Sequence, residues 1–420
     1  MTVGALPILG PLHRALVPVD SEAAEQVSAP NYDEYLDDLE VFREIRRRPA
    51  CVLTVTMAHC AVDSPETILE QDSPEALERA GAGFRALAES PLVRRVSQVF
   101  ILYEIVDPER PHVRQIGLGG MAPTSEIRTD ERTGGRIVRN EGIREEKARG
   151  RARLVEATGS VIGTVNLAVE DRAGAFAATL EEVADRRPHD LQATDDRGGV
   201  HRIWIIPAGD SAAGELEGAL AKEPEAYVAD GNHRSAAAAM LGLQGFPAVV
   251  FPAGRMGLAP YNRLVAVEPI PRTRLVEALQ GFFQVEPLAD VRGYRPQAVN
   301  EIGLLDGEGW LRLTPAPGRL EPLGAAGSID AAIVQTKIFR EVLGIEDPRD
   351  PRLTFVGGNR DAVWLEEQVR SGDFGYAVSL APVTMDQFLA VCRAGEFMPP
   401  KSTWFQPKLR MGLFMVELGG

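Results

Sequence analysis

The chain has 420 residues, enough for two or three domains that each bury a substantial core. Its 45 Lys and Arg stand against 60 Asp and Glu, a net charge of −15, which disfavours a nucleic-acid partner unless basic residues gather in one patch. The three cysteines, Cys51, Cys60 and Cys392, show neither a disulfide framework nor close metal-ligand spacing, and their odd number suits a reducing compartment. Residues 1–18 lack the pattern of a signal peptide, and no later stretch is apolar for long enough to span a membrane. The sequence therefore predicts a cytoplasmic protein without a membrane or nucleic-acid partner.

The first 121 residues contain signals for both helices and strands. The patterns predict helices over residues 35–48 and 64–88, a strand over 51–57, and a hairpin of strands 97–106 and 113–121. His59 follows the predicted strand, and the sequence offers no second metal ligand beside it. A structural or exposed histidine is the favoured interpretation.

A charged stretch occupies residues 125–158, and its second half predicts one helix over residues 143–156. Cations and glutamates alternate along this helix, as on a salt-bridged surface helix. Glu141 lies directly before it, where a carboxylate either stabilises the helix dipole or is presented for catalysis. The local sequence alone favours the capping role.

The middle of the chain alternates strands with helices. Strands are predicted over 161–169, 201–206, 227–229, 247–251 and 262–267, and helices over 173–186, 212–221 and 236–243. This order predicts an α/β or α+β domain with a mixed sheet.

The central stretch of this region is Asp230-Gly231-Asn232-His233-Arg234-Ser235, between the strand at 227–229 and the alanine-rich helix. Gly231 permits backbone angles closed to other residues, and the N–H groups at a helix start attract anions. Arg234 adds a fork of donors shaped for phosphate oxygens. A plain helix cap with solvated His233 and Arg234 remains the alternative, because one strand-glycine-helix junction is a weak motif.

A stiff stretch at residues 268–272 marks the predicted boundary between domains 1–268 and 269–420. Helices at 273–283, 329–343, 362–369 and 385–394, with strands at 310–313, 353–356, 376–380 and 413–416, predict a smaller α/β domain. Between its last helix and strand, a proline-bracketed loop carries Lys401, Ser402, Thr403 and Lys408. Such a loop either holds a ligand or is a structural plug.

Four motifs together resemble a widespread prokaryotic family catalogued as a domain of unknown function. They are Ala29-Pro30-Asn31-Tyr32-Asp33, Asn140-Glu141-Gly142, Asp230-Gly231-Asn232-His233-Arg234, and Met398-Pro399-Pro400-Lys401-Ser402-Thr403-Trp404-Phe405-Gln406-Pro407-Lys408. This family is related to ParB/sulfiredoxin-fold proteins and to the free serine kinases. The resemblance implies a ParB/sulfiredoxin-like first domain and spans nearly the whole chain.

The resemblance implies a kinase that uses ADP or ATP with Mg²⁺ and transfers a phosphoryl group to a hydroxyl of serine or a related metabolite. Glu141 is then a general base or metal-side carboxylate, Asp230 a base partner or metal ligand, and His233 a third catalytic candidate. Phosphate or nucleotide contacts are expected from Gly231, Asn232, Arg234, Ser235, Arg263, Lys401, Ser402, Thr403 and Lys408, with the last four closing the site. Because phosphoryl transfer needs these groups within reach of one substrate, Glu141 and Asp230 are expected to face one cleft.

Two departures from the family pattern keep a second function open. The family histidines before Glu141 and before His233 are Asn140 and Asn232 in this chain. The alternative is a non-catalytic nucleotide-responsive module, for which Glu141 and Asp230 are dispensable. The acceptor, the choice between ADP and ATP, and the oligomeric state, a homo-oligomer included, are left open by the sequence.

Overall fold

A computed structural model describes residues 7–320 and 324–419, and it is a mixed α/β structure. The chain forms two compact units. The first unit contains the described residues up to Arg139, then Ile143–Met256 and those from Pro407 onward; the second contains Asn140–Gly142 and Gly257–Gln406. The predicted domain boundary at 268/269 and the relation to the ParB/sulfiredoxin fold stay predictions. The part of the signal-peptide expectation that concerns residues 1–6 lies outside the described residues.

The helices, in chain order, are as follows. They are α1 Ser21–Val27, α2 Asp38–Arg47, α3 Leu53–Thr56, α4 Pro74–Glu89, α5 Glu145–Thr158, α6 Ala175–Asp185, α7 Ser211–Leu220, α8 Asn232–Met240, α9 Arg272–Leu279, α10 Gly324–Gly327, α11 Asp330–Ile333, α12 Ala362–Ser371 and α13 Met385–Ala394. A wider π-helical segment, Val334–Arg340, continues α11. Within the described residues, no helix combines the length and the apolar character needed to cross a membrane.

The strands of the first unit are β1 Ala15–Pro18, β2 Val93–Val96, β3 Val99–Val106, β4 Gln115–Pro123, β5 Ile137–Val138, β6 Ser160–Val161, β7 Val165–Val169, β8 Leu191–Thr194, β9 Val200–Pro207, β10 Ala226–Asp230 and β11 Gly245–Pro252. The second unit contributes β12 Gly257–Ala259, β13 Asn262–Val265, β14 Phe283–Pro287, β15 Ile302–Asp306, β16 Gly309–Pro315, β17 Leu353–Val356, β18 Tyr376–Leu380 and β19 Trp404–Gln406. The last strand, β20 Met415–Glu417, belongs to the first unit.

The first unit is built on an eight-stranded mixed sheet with the order β5-β10-β7-β11-β4-β3-β9-β8. The predicted mixed sheet is therefore confirmed, with parallel pairing in β5-β10 and β7-β11 and antiparallel pairing in the others. Apolar residues of α6 and α7, such as Phe176 and Leu216, pack in one core with sheet residues. A four-stranded sheet, β2-β1-β20-β6, completes this unit, and the second unit holds a six-stranded antiparallel sheet and the β12-β19 pair.

Three sequence predictions need correction or adjustment. The apolar run at residues 51–57 is not a strand, because it folds into the short helix α3; a short buried run has no periodicity that separates the two. Helix α4 begins at Pro74 rather than residue 64, where Ser73 accepts a hydrogen bond from the N–H of Ala76. Helix α8 begins at Asn232 instead of residue 236, so the polar motif forms its first turn. The hairpin is confirmed as β3 and β4.

Candidate functional site

The turn between β10 and α8 has the backbone that the sequence predicts for Gly231. Its φ of +97° lies in the left-handed region, and a Cβ at this position would lie 3.0 Å from Nε of Arg234 and 3.2 Å from Cα of Val165. The pairing of β10 with β7 shifts between Val228 and Asp230, which marks a bulge. Asp230 is the last residue of β10 and still pairs with Asn166, and its side chain reaches Arg234 in the first turn of α8.

Arg234 is buried in the first turn of α8, with 9% of its surface exposed. Its NH2 group donates to Oδ2 of Asp230 at 2.7 Å, and its NH1 group donates to the carbonyl oxygen of Thr164. Desolvation acts to lower the pKa of Arg234, but the charge of Asp230, and after it Tyr32 and Asp33, raises that pKa above its usual value. Arg234 is therefore a charged, oriented group, and the alternative of a solvated Arg234 is wrong.

Lys408 extends this ion pair into a network. Its Nζ lies 3.0 Å from Oδ2 of Asp33 and 3.5 Å from Oδ2 of Asp230, and its side chain is 7% exposed. The order of charges is Asp33, Lys408, Asp230 and Arg234, which we call the charge network. It joins residues from the beginning, middle and end of the sequence, all of which belong to the first unit.

Backbone pairing explains how Asp33 and Lys408 meet. Ala29 and Met411 exchange two hydrogen bonds, from the N–H of Ala29 to the carbonyl of Met411 at 3.1 Å and from the N–H of Met411 to the carbonyl of Ala29 at 2.9 Å. Arg410 also binds Ser28 through its guanidinium. The two motifs are thus fixed against each other a few residues from the charges that they contribute.

Glu34 lies next to the charge network and is partly exposed. Its Oε1 accepts a hydrogen bond from the N–H of Asn31 at 2.7 Å. Desolvation is the main cause that raises the pKa of Glu34 to about 7, with Lys408 opposing the shift and Asp33 adding to it. A carboxyl group that titrates near neutral pH is a feature typical of functional sites. The sequence had offered no reason to select Glu34.

The other motif residues of α8 lie in its first turn, where two of them form hydrogen bonds, and their predicted ligand roles stay predictions. Nε2 of His233 accepts a hydrogen bond from the backbone N–H of Arg144 at 3.1 Å, so the ring proton of neutral His233 lies on Nδ1. Asn232 is buried, and Ser235, which is fully buried, donates its hydroxyl proton to the carbonyl of Asn232 at 3.0 Å. These contacts link the first turn of α8 to the segment just before α5.

A recess of the first unit is lined in part by Arg234. Its lining includes Tyr32, Arg151, Thr158, Gly163 and Arg234. The guanidinium of Arg151 lies 3.7 Å from the centre of the Tyr32 ring, a cation–π contact. A Cβ on Gly163 would lie 2.8 Å from Cδ of Arg234, so a larger residue there would disturb the buried arginine.

Arg263 lies in the second unit, where it is 3% exposed. Its guanidinium donates to three backbone carbonyls, those of Tyr261 at 2.7 Å, Asn262 at 3.2 Å and Lys401 at 2.9 Å. It also lies 4.5 Å from the ring centre of Phe355. Burial lowers the pKa of Arg263 to about 10, against the opposing influence of Tyr261 and Glu141.

The remaining predicted residues also lie in the second unit. Glu141 forms a parallel bridge with Met398, whose N–H donates to the carbonyl of Asn140 at 2.9 Å. Lys401 has a φ of +58°, and its Nζ lies 5.3 Å from the centre of the Tyr261 ring. Ser402 donates its hydroxyl proton to the carbonyl of Pro399 at 2.7 Å, and Thr403 is half-buried.

The long C-terminal motif is therefore divided between the two units. Lys401, Ser402 and Thr403 belong to the second unit, whereas Lys408 belongs to the first. Glu141 and Asp230 are also in different units, so the expectation that they share one cleft stays a prediction.

A resident Mg²⁺ on Asp230 does not fit the residues of the first unit as they stand. Oδ2 of Asp230 already accepts from Arg234, and the ammonium of Lys408 lies within ion-pair distance of both Asp230 and Asp33. A divalent cation between the two carboxylates would have to displace that ammonium.

His59 lies beside two other candidate metal ligands, the next residue, Cys60, and the distant Asp38. Its Nε2 lies 3.0 Å from Oδ1 of Asp38, and ligand atoms of Asp38, His59 and Cys60 all lie within 4.8 Å of one another. The statement that no second ligand accompanies His59 is therefore wrong, and the histidine is buried rather than exposed. Asp38 lies 21 residues earlier in the sequence, beyond the reach of a spacing argument.

A family model described as "Protein of unknown function (DUF1015)" matches residues 11–335. The chain belongs to this family. The prediction of a family of unknown function is thereby confirmed, while the relation of this DUF1015 chain to ParB-like proteins stays a prediction. None of the curated proteins matches the chain.

Three solved structures are among those similar to this DUF1015 chain. SbnI with a C-terminal truncation from Staphylococcus aureus is 11% identical over 71% of this chain and 87% of its own, with a TM-score of 0.39. A conserved hypothetical protein from Pyrococcus furiosus is 13% identical over 64% of this chain and 87% of its own, with a TM-score of 0.34. A free serine kinase in complex with AMP is 12% identical over 64% of this chain and 83% of its own, with a TM-score of 0.34. Scores of this size do not establish a common fold, so function has to be argued from the residues of this chain.

Proposed function

We propose that this protein binds ADP or ATP and transfers the terminal phosphoryl group to a hydroxyl of serine or a related small metabolite. The observation that carries the proposal is the charge network at the start of α8, in which Arg234 and Lys408 are held by Asp230 and Asp33. Buried ion pairs are costly to desolvate and contribute little net stability. A role in function is one reason why a protein keeps a buried ion pair.

The network has the parts that phosphate binding requires. Arg234 can form paired hydrogen bonds to phosphate oxygens, and Lys408 supplies a second cation. The backbone N–H groups of the first turn of α8, the turn that carries Arg234, can also bind an anion. Nε of Arg234 is buried and has no hydrogen-bond partner among the described residues, which gives the guanidinium spare donor capacity. An incoming phosphate would compete with the carboxylates for the two cations.

The proposed reaction is a direct transfer. A carboxylate accepts the proton of the acceptor hydroxyl, the hydroxyl oxygen forms a bond to the terminal phosphorus, and the bond from that phosphorus to the nucleotide breaks. The electron pair of the broken bond stays on the departing nucleotide, which leaves as AMP or ADP. Asp230 is the candidate base in the first unit, and Glu141, from the motif in the second unit, is the other candidate.

Nucleotide binding is tested first, because both functions under consideration require it. Arg234→Ala is expected to weaken binding of ADP or ATP about 10- to 100-fold, since a hydrogen bond to a charged group contributes about 1.5–3 kcal/mol. Arg234→Lys should recover only part of this loss, because lysine lacks the paired donors. Isothermal titration calorimetry measures all three affinities, with circular dichroism to show that each variant is folded.

Arg149→Ala is the matched control. Arg149 also pairs with a carboxylate four residues earlier, Glu145, but both side chains of that pair are well exposed. Its removal should leave the affinity unchanged. A wild-type protein that binds neither ADP nor ATP would contradict the proposal, as would full rescue by Arg234→Lys.

Turnover separates the kinase from the non-catalytic module. Phosphorus NMR over a panel of amino-acid and sugar hydroxyls should detect a new phosphate ester together with AMP or ADP. Whichever of Asp230→Asn and Glu141→Gln removes the base should abolish product formation while nucleotide is still bound. Nucleotide binding without consumption in the whole panel would favour the responsive module.

A further inference from the structure

Asp38, His59 and Cys60 form a cluster outside the charge network, within the first unit. His59 and Cys60 lie on the single-turn helix Ala58–Cys60, and Asp38 is the first residue of α2. His59 and Cys60 are buried, whereas the side chain of Asp38 is 52% exposed. The cluster thus has a protein-facing side and a solvent-facing side.

We propose that Asp38, His59 and Cys60 bind a Zn²⁺ ion through one carboxylate oxygen, one imidazole nitrogen and one thiolate sulfur. These three atom types are the ligands that Zn²⁺ takes in proteins. Three protein ligands leave a fourth position for water, as in zinc sites that exchange ligands rather than in closed structural sites.

The spacing of the ligand atoms suits a single ion. Nε2 of His59 lies 3.0 Å from Oδ1 of Asp38, and the three ligand atoms lie within 4.8 Å of one another. Ligands at about 2.0–2.3 Å from a tetrahedral ion are about 3.3–3.8 Å apart. Zinc would therefore replace the hydrogen bonds that Asp38 makes with His59 and with Cys60, and the Cys60 thiol would release its proton on binding the ion.

The backbone around the two buried ligands is fixed by hydrogen bonds. The N–H of Cys60 donates to the carbonyl of Met57 at 2.9 Å, and the N–H of Leu69 donates to the carbonyl of His59 at 3.0 Å. The guanidinium of Arg79 donates to the carbonyl of Ala61 at 3.1 Å. A ligand pair on a constrained turn requires little ordering when the metal binds.

The alternative is a cluster without metal, in which the Asp38 carboxylate hydrogen-bonds both the His59 ring and the Cys60 thiol. The two cases differ in whether the sulfur coordinates a metal, and Co²⁺ reports this directly. The protein is first freed of metal with a chelator, and Co²⁺ is then added. If the cluster binds metal, the spectrum should show the near-ultraviolet charge-transfer band of a cobalt–thiolate bond. One equivalent of Zn²⁺ should then displace it.

Three ligand variants and two controls complete the experiment. Asp38→Asn, His59→Gln and Cys60→Ser should each weaken Zn²⁺ binding about tenfold or more, measured by competition with a colorimetric chelator. Cys51→Ser and Cys392→Ser replace the other two buried cysteines and should leave both the affinity and the cobalt band unchanged. Asp38→Asn is decisive if the core variants do not fold, because the half-exposed Asp38 side chain is outside the apolar core.

The proposal is overturned if Co²⁺ gives no thiolate band, or if Zn²⁺ binding survives all three ligand substitutions. Zinc should also raise the melting temperature of the wild type by more than that of Cys60→Ser, since a ligand of the folded state stabilises it in proportion to how tightly it binds. These readouts involve no nucleotide, so their outcome is independent of the proposed kinase activity.

Discussion

Arg234 and Arg263 are both buried arginines that the sequence selects as phosphate ligands, but their surroundings differ. Arg234 pairs with the carboxylate of Asp230, which is itself close to Lys408. Within the described part of the chain, Arg263 donates its hydrogen bonds to neutral groups, the carbonyls of Tyr261, Asn262 and Lys401. The two surroundings shift the pKa of the arginine in opposite directions. The pKa of Arg234 is raised, whereas the pKa of Arg263 is lowered to about 10.

The difference shows which arginine can exchange its partner. A guanidinium paired with a carboxylate can accept a phosphate in place of that carboxylate, because one anion replaces another. A guanidinium that holds three carbonyls fixes the path of the chain, and here it binds the carbonyl of Lys401, whose backbone is left-handed. Arg263 thus supports the loop that carries Lys401, and its role as a phosphate ligand stays a prediction.

The largest effect is expected from Lys408→Met, which breaks the charge network at its centre. The substitution leaves the carboxylates of Asp33 and Asp230 without the ammonium that both face, and removal of one partner of a buried ion pair costs about 3–5 kcal/mol. The free energy of unfolding, measured with urea, should fall by this amount. Lys222→Met, at an exposed lysine, is the control and should change it by less than about 0.5 kcal/mol.

A double variant separates the network from the loss of a single side chain. Asp33→Asn combined with Lys408→Met removes an opposite charge together with the lysine and should recover part of the lost stability, so the two effects are non-additive. Additive effects would mean that Asp33 and Lys408 are not coupled.

The second effect concerns Arg263→Met. Two buried carbonyls and one partly buried carbonyl lose their donor, at about 1 kcal/mol each, so we expect a loss of about 2–3 kcal/mol in the free energy of unfolding. Arg263→Lys should recover little, because one ammonium cannot reproduce the geometry of the guanidinium fork. If the comparison is right, nucleotide affinity measured by calorimetry stays unchanged in folded Arg263→Met. A loss as large as that of Arg234→Ala would make the two arginines equivalent ligands.

The sequence predicted the local features of the candidate site better than its assembly. The left-handed Gly231 and the helix that follows it were predictable, because a glycine between an apolar run and an alanine-rich run has few other interpretations. The contact between Lys408 and Asp33 spans 375 residues and depends on the pairing of Ala29 with Met411, which no local pattern encodes.

The same limit applies to buried polar groups outside the motifs. The raised pKa of Glu34 comes mainly from desolvation, a property of the folded protein rather than of the residues beside it. The contact between His59 and Asp38 likewise requires two segments to pack, and the sequence gives only the segments.

The smallest expected effect is a pH dependence that compares Glu34 in the first unit with Asp330 in the second. Burial raises the pKa of Glu34 from 4.5 to about 7 and that of Asp330 from 3.8 to about 6. A carboxyl group with a raised pKa holds its proton more tightly in the folded state, so its contribution to stability is fully present below the unfolded pKa and is lost as the pH rises through the folded pKa. The contribution of Glu34 should therefore decline from about pH 4.5 to 7, and that of Asp330 from about pH 3.8 to 6.

Glu34→Gln and Asp330→Asn isolate these contributions, since an amide keeps the shape of the protonated carboxyl but does not titrate. Urea unfolding between pH 4 and 8 should show that each variant gains stability relative to the wild type as the pH rises, by about 1–2 kcal/mol for Glu34 after allowance for its partial exposure. The gain of Asp330→Asn should level off about one pH unit earlier than that of Glu34→Gln. A gain on acidification in either variant would have the wrong sign for a raised pKa. If Glu34→Gln shows no change while Asp330→Asn does, Lys408 offsets the desolvation of Glu34, and the charge network stabilises the ionised form of its neighbour.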